Sequence, residues 1–186
     1  VRMVYTVPSD MFAVGNGKLK NIKKLGEKTT YEWFVSNPIN NYNISVQIGN
    51  YVAVQDTFIK DGTIHEMNHY VLDYNKELAF NYFQQSKEII RFYEKYFGDY
   101  QWYEDGYKLV EVPYLGMEHQ SAVTYGNGFS IHNGVRSKSW PMYGVIDPLI
   151  IHETGHEWFG NSVTASDPTH ICLSLIHISE PTRLRS

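Results

Sequence analysis

The chain has 186 residues, enough for one ordinary domain or parts of two. Hydrophobic residues at 42% and charged residues at 19% suit a globular protein with a real core. A formal charge of −4 argues against nucleic acid or an acidic membrane surface as the main partner, and no apolar run approaches the roughly 18–20 residues of a membrane span.

Residues 1 to about 72 read as strands. The chain opens on Val1 rather than Met and enters an apolar run with no signal-peptide pattern, so it is expected to be a fragment whose start lies upstream. Its compartment and oligomeric state stay open. Residues 1–7 are β-branched and aromatic until Pro8-Ser9-Asp10 breaks the run. Gly15-Asn16-Gly17 marks a turn, and residues 29–35 alternate as a strand. Residues 51–59 and 63–72 are joined through Lys60-Asp61-Gly62, and an Asp-Gly step between two such runs signals a hairpin.

The apolar period then changes. Leu78, Ala79, Tyr82, Phe83, Ile89, Ile90, Tyr93, Tyr96 and Phe97 follow three-and-four spacing, which predicts one long helix over 75–97. Asp73 or Asn75 can cap its start and Gly98 can end it. A domain boundary is expected near residue 74. Residues 107–112 and 122–125 read as strands, and 148–160 as a helix with Asp147 as cap and Pro148 in its first turn.

The pattern His-Glu-x-x-His occurs twice, at residues 65–69 and 152–156. Its chemistry needs a helix, where positions i and i+4 share a face and two imidazoles can reach one zinc at about 2.0–2.1 Å. The intervening glutamate then lies beside the ion as a general base on the attacking water. On a strand the same histidines stand about 13 Å apart at roughly 3.3 Å per residue, too far to share an ion. The first match lies inside the hairpin and is read as a solvated strand face. The second follows a cap-and-proline start, and its Gly155 leaves room for close approach.

Residues 151–164, Ile-His-Glu-Thr-Gly-His-Glu-Trp-Phe-Gly-Asn-Ser-Val-Thr, strongly resemble the zinc aminopeptidases of the aminopeptidase N and leukotriene hydrolase family. Met117-Glu118-His119 resembles the end of that family's Gly-x-Met-Glu-Asn exopeptidase motif, with Leu115-Gly116 where Gly-Ala is usual and His119 in place of Asn. The resemblance covers residues 1–172. It implies an α+β chain: the end of an N-terminal β-sandwich or saddle domain over 1–74, then the first part of a thermolysin-like catalytic domain over 75–172. It also implies that His152 and His156 bind zinc, that Glu153 is the general base, and that Glu118 holds the free α-amine of a peptide substrate. The resemblance further implies that Gly116 and Met117 offer backbone groups to the bound peptide, with His119 as a further substrate-binding position.

The glutamate that the family supplies as third zinc ligand would fall at position 175, where this chain has Leu175. Leucine has no lone pair to offer a metal. Residues 173–183, Leu-Ser-Leu-Ile-His-Ile-Ser-Glu-Pro-Thr-Arg, match residue for residue the translation of a transposase sequencing adapter. The tail 173–186 is therefore expected to be non-native, with the natural chain continuing from about Cys172, and His177 and Glu180 are not enlisted as ligands. The lone Cys172 excludes an internal disulfide framework. Two other readings stay open: a zinc endopeptidase of the same helix type, and an inactive chain or binding module that lacks the third ligand.

Overall fold

The computed structural model describes residues 1–130 and 146–164. Its N-terminal part is antiparallel. Strand β1 (Arg2–Pro8) pairs with β4 (Lys28–Phe34), which pairs in turn with β3 (Lys18–Leu25), and β2 (Phe12–Gly15) pairs with β5 (Val46–Gly49). On β4 the side chains of Thr29, Tyr31 and Trp33 are buried while their neighbours are not, the two-residue period of a half-covered sheet. The expected turn at residues 15–17 is present. Gly17 adopts φ +73°, and a Cβ there would meet the Phe34 carbonyl oxygen at 2.1 Å. Only glycine fits.

Strand β6 (Tyr51–Val54) and β7 (Thr57–Lys60) take the place of the single expected run over 51–59, and β8 (Thr63–Glu66) and β9 (His69–Leu72) take the place of 63–72. The ladder is shared: β7 pairs with β8, and β6 continues it with β9. Asp61 and Gly62 both have positive φ, 48° and 79°, as a tight two-residue hairpin turn requires.

A five-stranded sheet in the order β11-β12-β10-β9-β6 forms the middle of the molecule, with β10 at Leu109–Glu111, β11 at Gly116–Met117 and β12 at Val123–Tyr125. Strand β10 lies parallel to both β9 and β12. The step from β9 to β10 is a crossover through helices α1 (Lys76–Tyr82) and α2 (Gln85–Phe97). Strand β9 is buried on both faces, as a covered parallel strand must be. Tyr70 and Val110 face the N-terminal strands with Met3, Val14, Tyr31 and Trp33, whereas Val71, Leu109 and Val123 face the helices with Phe83, Ile90, Leu149 and Trp158. The sheet thus draws strands from both sides of residue 74, where the chain switches from strand to helix. The mixed architecture is α+β.

The helix expected over 75–97 is two helices. It breaks at Phe83, where the chain turns to bury that ring fully against His69, Tyr125 and Phe129. Polar side chains then take over backbone bonds: Gln85 donates to the Tyr82 carbonyl at 2.8 Å and Ser86 to that of Phe83 at 2.7 Å. Asn75 occupies the cap position without capping, its carboxamide donating to Glu111 instead, and Gly98 ends α2 with φ 89°.

Helix α3 (Pro148–Gly155) is shorter than the expected 148–160. Beyond Gly155 the backbone bonds widen. The amides of Asn161, Ser162 and Val163 donate to the carbonyls of His156, Glu157 and Trp158, each five residues back. No described helix is long and apolar enough to cross a membrane.

Candidate active site

Helix α3 is held at its start by Asp147, a fully buried carboxylate that accepts from the Leu149 amide at 2.8 Å, the Tyr82 hydroxyl at 2.8 Å and the Tyr125 hydroxyl at 2.9 Å. The cap read from the sequence is thus also the point at which α1 and β12 grip the helix. Further along, Tyr93 of α2 donates to the Ile151 carbonyl and the Tyr107 hydroxyl meets Thr154 Oγ1 at 2.7 Å. Trp158 stacks on Tyr93, their ring centroids 5.1 Å apart.

These contacts present the sequence's second motif on one face. The rings of His152 and His156 lie 4.9 Å apart and nearly perpendicular. One donor atom each from His152, Glu153 and His156 falls within 4.8 Å of the others, and no other such group is found among the described residues. His156 Nδ1 lies 2.9 Å from the Phe159 carbonyl, which can only accept. The ring proton therefore sits on Nδ1 and the Nε2 lone pair is left for a metal. Burial, then the neighbouring His156, lowers the pKa of His152 and so favours its neutral, ligating form.

Glu153 is buried, and its Oε2 has no hydrogen-bond partner. Burial, reinforced by the charge of Glu118, pushes its pKa up to about 8. Glu118 itself is buried in the loop that follows β11. Strand β11 is a sheet edge, so Gly116 and Met117 have one side of their backbone unpaired within the sheet. It passes so close to α3 that a Cβ on Gly116 would meet Glu153 Oε1 at 2.9 Å and the Thr124 carbonyl at 3.1 Å. Strand β11, with Gly116 and Met117, is thereby brought beside the helix that carries His152, Glu153 and His156, and Glu118 and His119 lie in the loop that follows it.

The first motif match is spread over two strands, as expected, but its second histidine lies in the core rather than on a solvated face. His65 of β8 packs on Tyr103, centroid to centroid 4.0 Å, while His69 of β9 is wholly buried and accepts from the Leu109 amide through Nδ1. Burial lowers the pKa of His69 to about 3, so it serves the core as a neutral side chain.

Several site residues were not singled out from the sequence. Buried Glu157 accepts from the Ser121 amide at 2.7 Å and from Asn161 at 3.1 Å, with burial raising its pKa to about 7. Buried Lys108, lowered by burial to about 8, donates to the carbonyls of Gly17 and Ser121. Asn161 also donates to the Glu118 carbonyl and accepts from Asn43, which brings the 3-10 turn Asn41–Asn43 against the loop. Glu157 and Asn161 stood in the quoted 151–164 stretch, but their partners are too distant in sequence to be read from it. Cys172 and Leu175 lie outside the described residues.

The chain is similar to two curated archaeal proteins. One is the probable aminopeptidase 1 of Sulfurisphaera tokodaii, 24% identical over 154 residues, covering 81% of this chain and 19% of that protein. The other is the leucyl aminopeptidase of Saccharolobus solfataricus, 24% identical over 166 residues, covering 88% and 20%. The chain therefore spans about a fifth of the length of these relatives. Its fold is similar to part of the M1 zinc metallopeptidase from Deinococcus radiodurans, with a TM-score of 0.66 at 16% identity over 89% of this chain and 35% of that one. A mutant of the Deinococcus enzyme bound to a Tyr-Ser-Ala substrate superposes with a TM-score of 0.64 at 15% identity. The family model described as the peptidase family M1 domain matches residues 81–174, half of the chain, and the chain belongs to that family.

Proposed function

We propose that this chain is part of a zinc-dependent aminopeptidase that hydrolyses the N-terminal residue of peptides. The observation that carries the reading is the meeting of two buried carboxylates, Glu118 and Glu153, beside the His152–His156 pair. One carboxylate is needed for the proton transfers of hydrolysis. An endopeptidase has no use for the second, whereas an exopeptidase needs a negative group to hold the substrate's free α-ammonium. The names of the archaeal relatives, and the Tyr-Ser-Ala peptide in the Deinococcus enzyme, support a peptide with a free N-terminus as substrate.

The donor set fits zinc. Two imidazoles, one oriented by the Phe159 carbonyl, are what this ion takes from nitrogen ligands. His152 and His156 would hold the zinc, which when bound would supply Lewis acidity toward the scissile carbonyl and the attacking water. Glu153, with its Oε2 unpaired and ionised once the positive charge of a bound zinc offsets its burial, would take the proton from the attacking water and return it to the departing amine. Glu118 anchors the α-ammonium, with His119 next to it in the loop. The free edge of β11, at Gly116 and Met117, offers backbone groups to an extended peptide.

Residues 1–74 are assigned to the N-terminal β domain, 75–172 to the thermolysin-like peptidase domain and 173–186 to a non-native tail. In this reading the polypeptide as written lacks its third ligand, because position 175 is Leu. It then holds zinc weakly and is inactive, while the parent protein is the enzyme. Zinc per chain after dialysis against metal-free buffer tests both points. Zinc lost on dialysis, and bound weakly through His152 and His156 when added back, is expected. One tightly retained zinc per chain contradicts the missing ligand, and weak binding unaffected by His152→Ala contradicts the site.

A further inference from the structure

Among the described residues, six buried polar side-chain atoms have no hydrogen-bond partner: Tyr42 Oη, Asn43 Oδ1, His69 Nε2, Trp102 Nε1, His119 Nδ1 and Glu153 Oε2. Leaving such an atom unpaired costs about 1–3 kcal/mol, so a cluster of them needs an explanation. His69 and Trp102 belong to the helix-side core. The remaining residues gather around Glu118. His119 follows it in the chain, and the Glu118 charge reaches Glu153. Asn43 is joined to the Glu118 carbonyl through Asn161, by bonds of 2.5 and 3.1 Å. Tyr42 is carried to the same place by its turn. Burial first, and then the charge of Glu118, raises the pKa of its phenol, with the Asn43 carboxamide opposing.

Neither Tyr42 nor Asn43 lies in the motifs already assigned, and both come from the chain before residue 74. The turn that carries them is fixed from three sides. Asn16 donates to the carbonyls of Asn43 and Gln120, Ser45 donates to Asn16, and Gln120 donates to the Pro38 carbonyl. The turn that carries Tyr42 is therefore held against the Glu118 loop by a network that spans both parts of the chain.

A primary ammonium has three N–H donors and satisfies three acceptors at once. Resting on the aminopeptidase reading above, we propose that Tyr42 completes the α-amine pocket, its hydroxyl oxygen and His119 Nδ1 each accepting one ammonium N–H while the Glu118 carboxylate accepts the third. Burial holds the His119 ring neutral against the opposing charge of Glu118 and a hydrogen bond to the Asn43 backbone; in the proposed pocket its proton sits on Nε2, which leaves Nδ1 to accept. The pocket then selects primary amines. A secondary ammonium, as in an N-methylated residue or an N-terminal proline, has one donor fewer and leaves an acceptor unpaired.

The test is an NMR titration of the 186-residue chain with L-leucinamide and with N-methyl-L-leucinamide, repeated on Tyr42→Phe and Glu118→Gln. The unaltered chain is expected to prefer leucinamide by roughly tenfold, the worth of one charge-assisted hydrogen bond. Tyr42→Phe, which keeps the ring and removes the acceptor, should weaken leucinamide alone and bring the two affinities close together. A preference unchanged in Tyr42→Phe, or no binding of leucinamide at tens of millimolar, overturns the proposal. Loss of leucinamide binding in Glu118→Gln combined with an unchanged preference in Tyr42→Phe removes Tyr42 but keeps the amine anchor. Full binding in Glu118→Gln removes the anchor itself, and the aminopeptidase reading with it.

Discussion

The Asn161 carboxamide donates to the backbone carbonyl of Glu118 at 3.1 Å, tying the end of the histidine-bearing segment to the loop that carries the second carboxylate. The same side chain donates to Glu157 and accepts from Asn43. Replacing it strands several buried groups at once. Asn161→Ala is expected to destabilise the chain by about 1–3 kcal/mol, read from the midpoint of urea unfolding. A change within experimental error shows that Asn161 does not hold the loop.

Gly116 sets how closely β11 approaches Glu153. The contacts that a Cβ would make include the Thr124 backbone, which cannot swing away, as well as Glu153 Oε1 and Leu149 Cδ1. Gly116→Ala should cost about 1–3 kcal/mol and displace the Glu153 side chain, detectable together as a lowered Tm and a shifted carboxylate in a crystal structure. An unshifted Glu153 in a fully stable variant refutes the packing argument.

Asp147 caps α3 and receives two tyrosine hydroxyls. Asp147→Ala removes the cap and leaves Tyr82 and Tyr125 without their acceptor. A loss of about 2 kcal/mol or more is expected, above that of an isolated cap. The calorimetric transition reads it directly, and a loss under 0.5 kcal/mol, roughly the floor for caps, contradicts it.

His69 gives the fold an acid-labile element. Burial lowers its folded-state pKa to about 3 from an unfolded value near 6.5, against a smaller opposing pull from Asp56. Above the unfolded value both states are neutral and the residue has no effect on the balance. As pH falls through 6.5 toward 3 only the unfolded chain takes up the proton, so stability declines, by up to about 1.4 kcal/mol per pH unit. His69→Gln can still accept from the Leu109 amide without titrating, and should flatten the stability curve over that window. An unchanged slope shows that the acid sensitivity comes from other groups.

The parts of the fold legible in the sequence were those decided by local chemistry. Asp61-Gly62 specified its turn because both positions need positive φ, and Asp147-Pro148 specified the start of α3 by capping. The two His-Glu-x-x-His matches were separable for a similar reason, since β-rich surroundings put one on strands and a cap put the other on a helix. The break at Phe83 was hidden, because a ring buried against His69, Tyr125 and Phe129 answers to partners brought together only by folding. The same holds for the end of α3, where wide turns replace the helical bonds. At the site, His152, Glu153, His156 and Glu118 were visible through their motifs. Tyr42 and Lys108 were not, because each acts across the junction between the N-terminal strands and the central sheet.

The central claim is that Glu118 makes the parent protein an exopeptidase. It is tested most directly by comparing the hydrolysis of a short peptide with a free N-terminus and the same peptide N-acetylated, by the parent protein and by its Glu118→Gln variant. Cleavage of the free peptide only is expected, with kcat/KM falling roughly 30-fold or more in the variant, as for a buried charge pair that loses one partner. Equal cleavage of the blocked and free peptides, unaffected by Glu118→Gln, would contradict it and favour an endopeptidase.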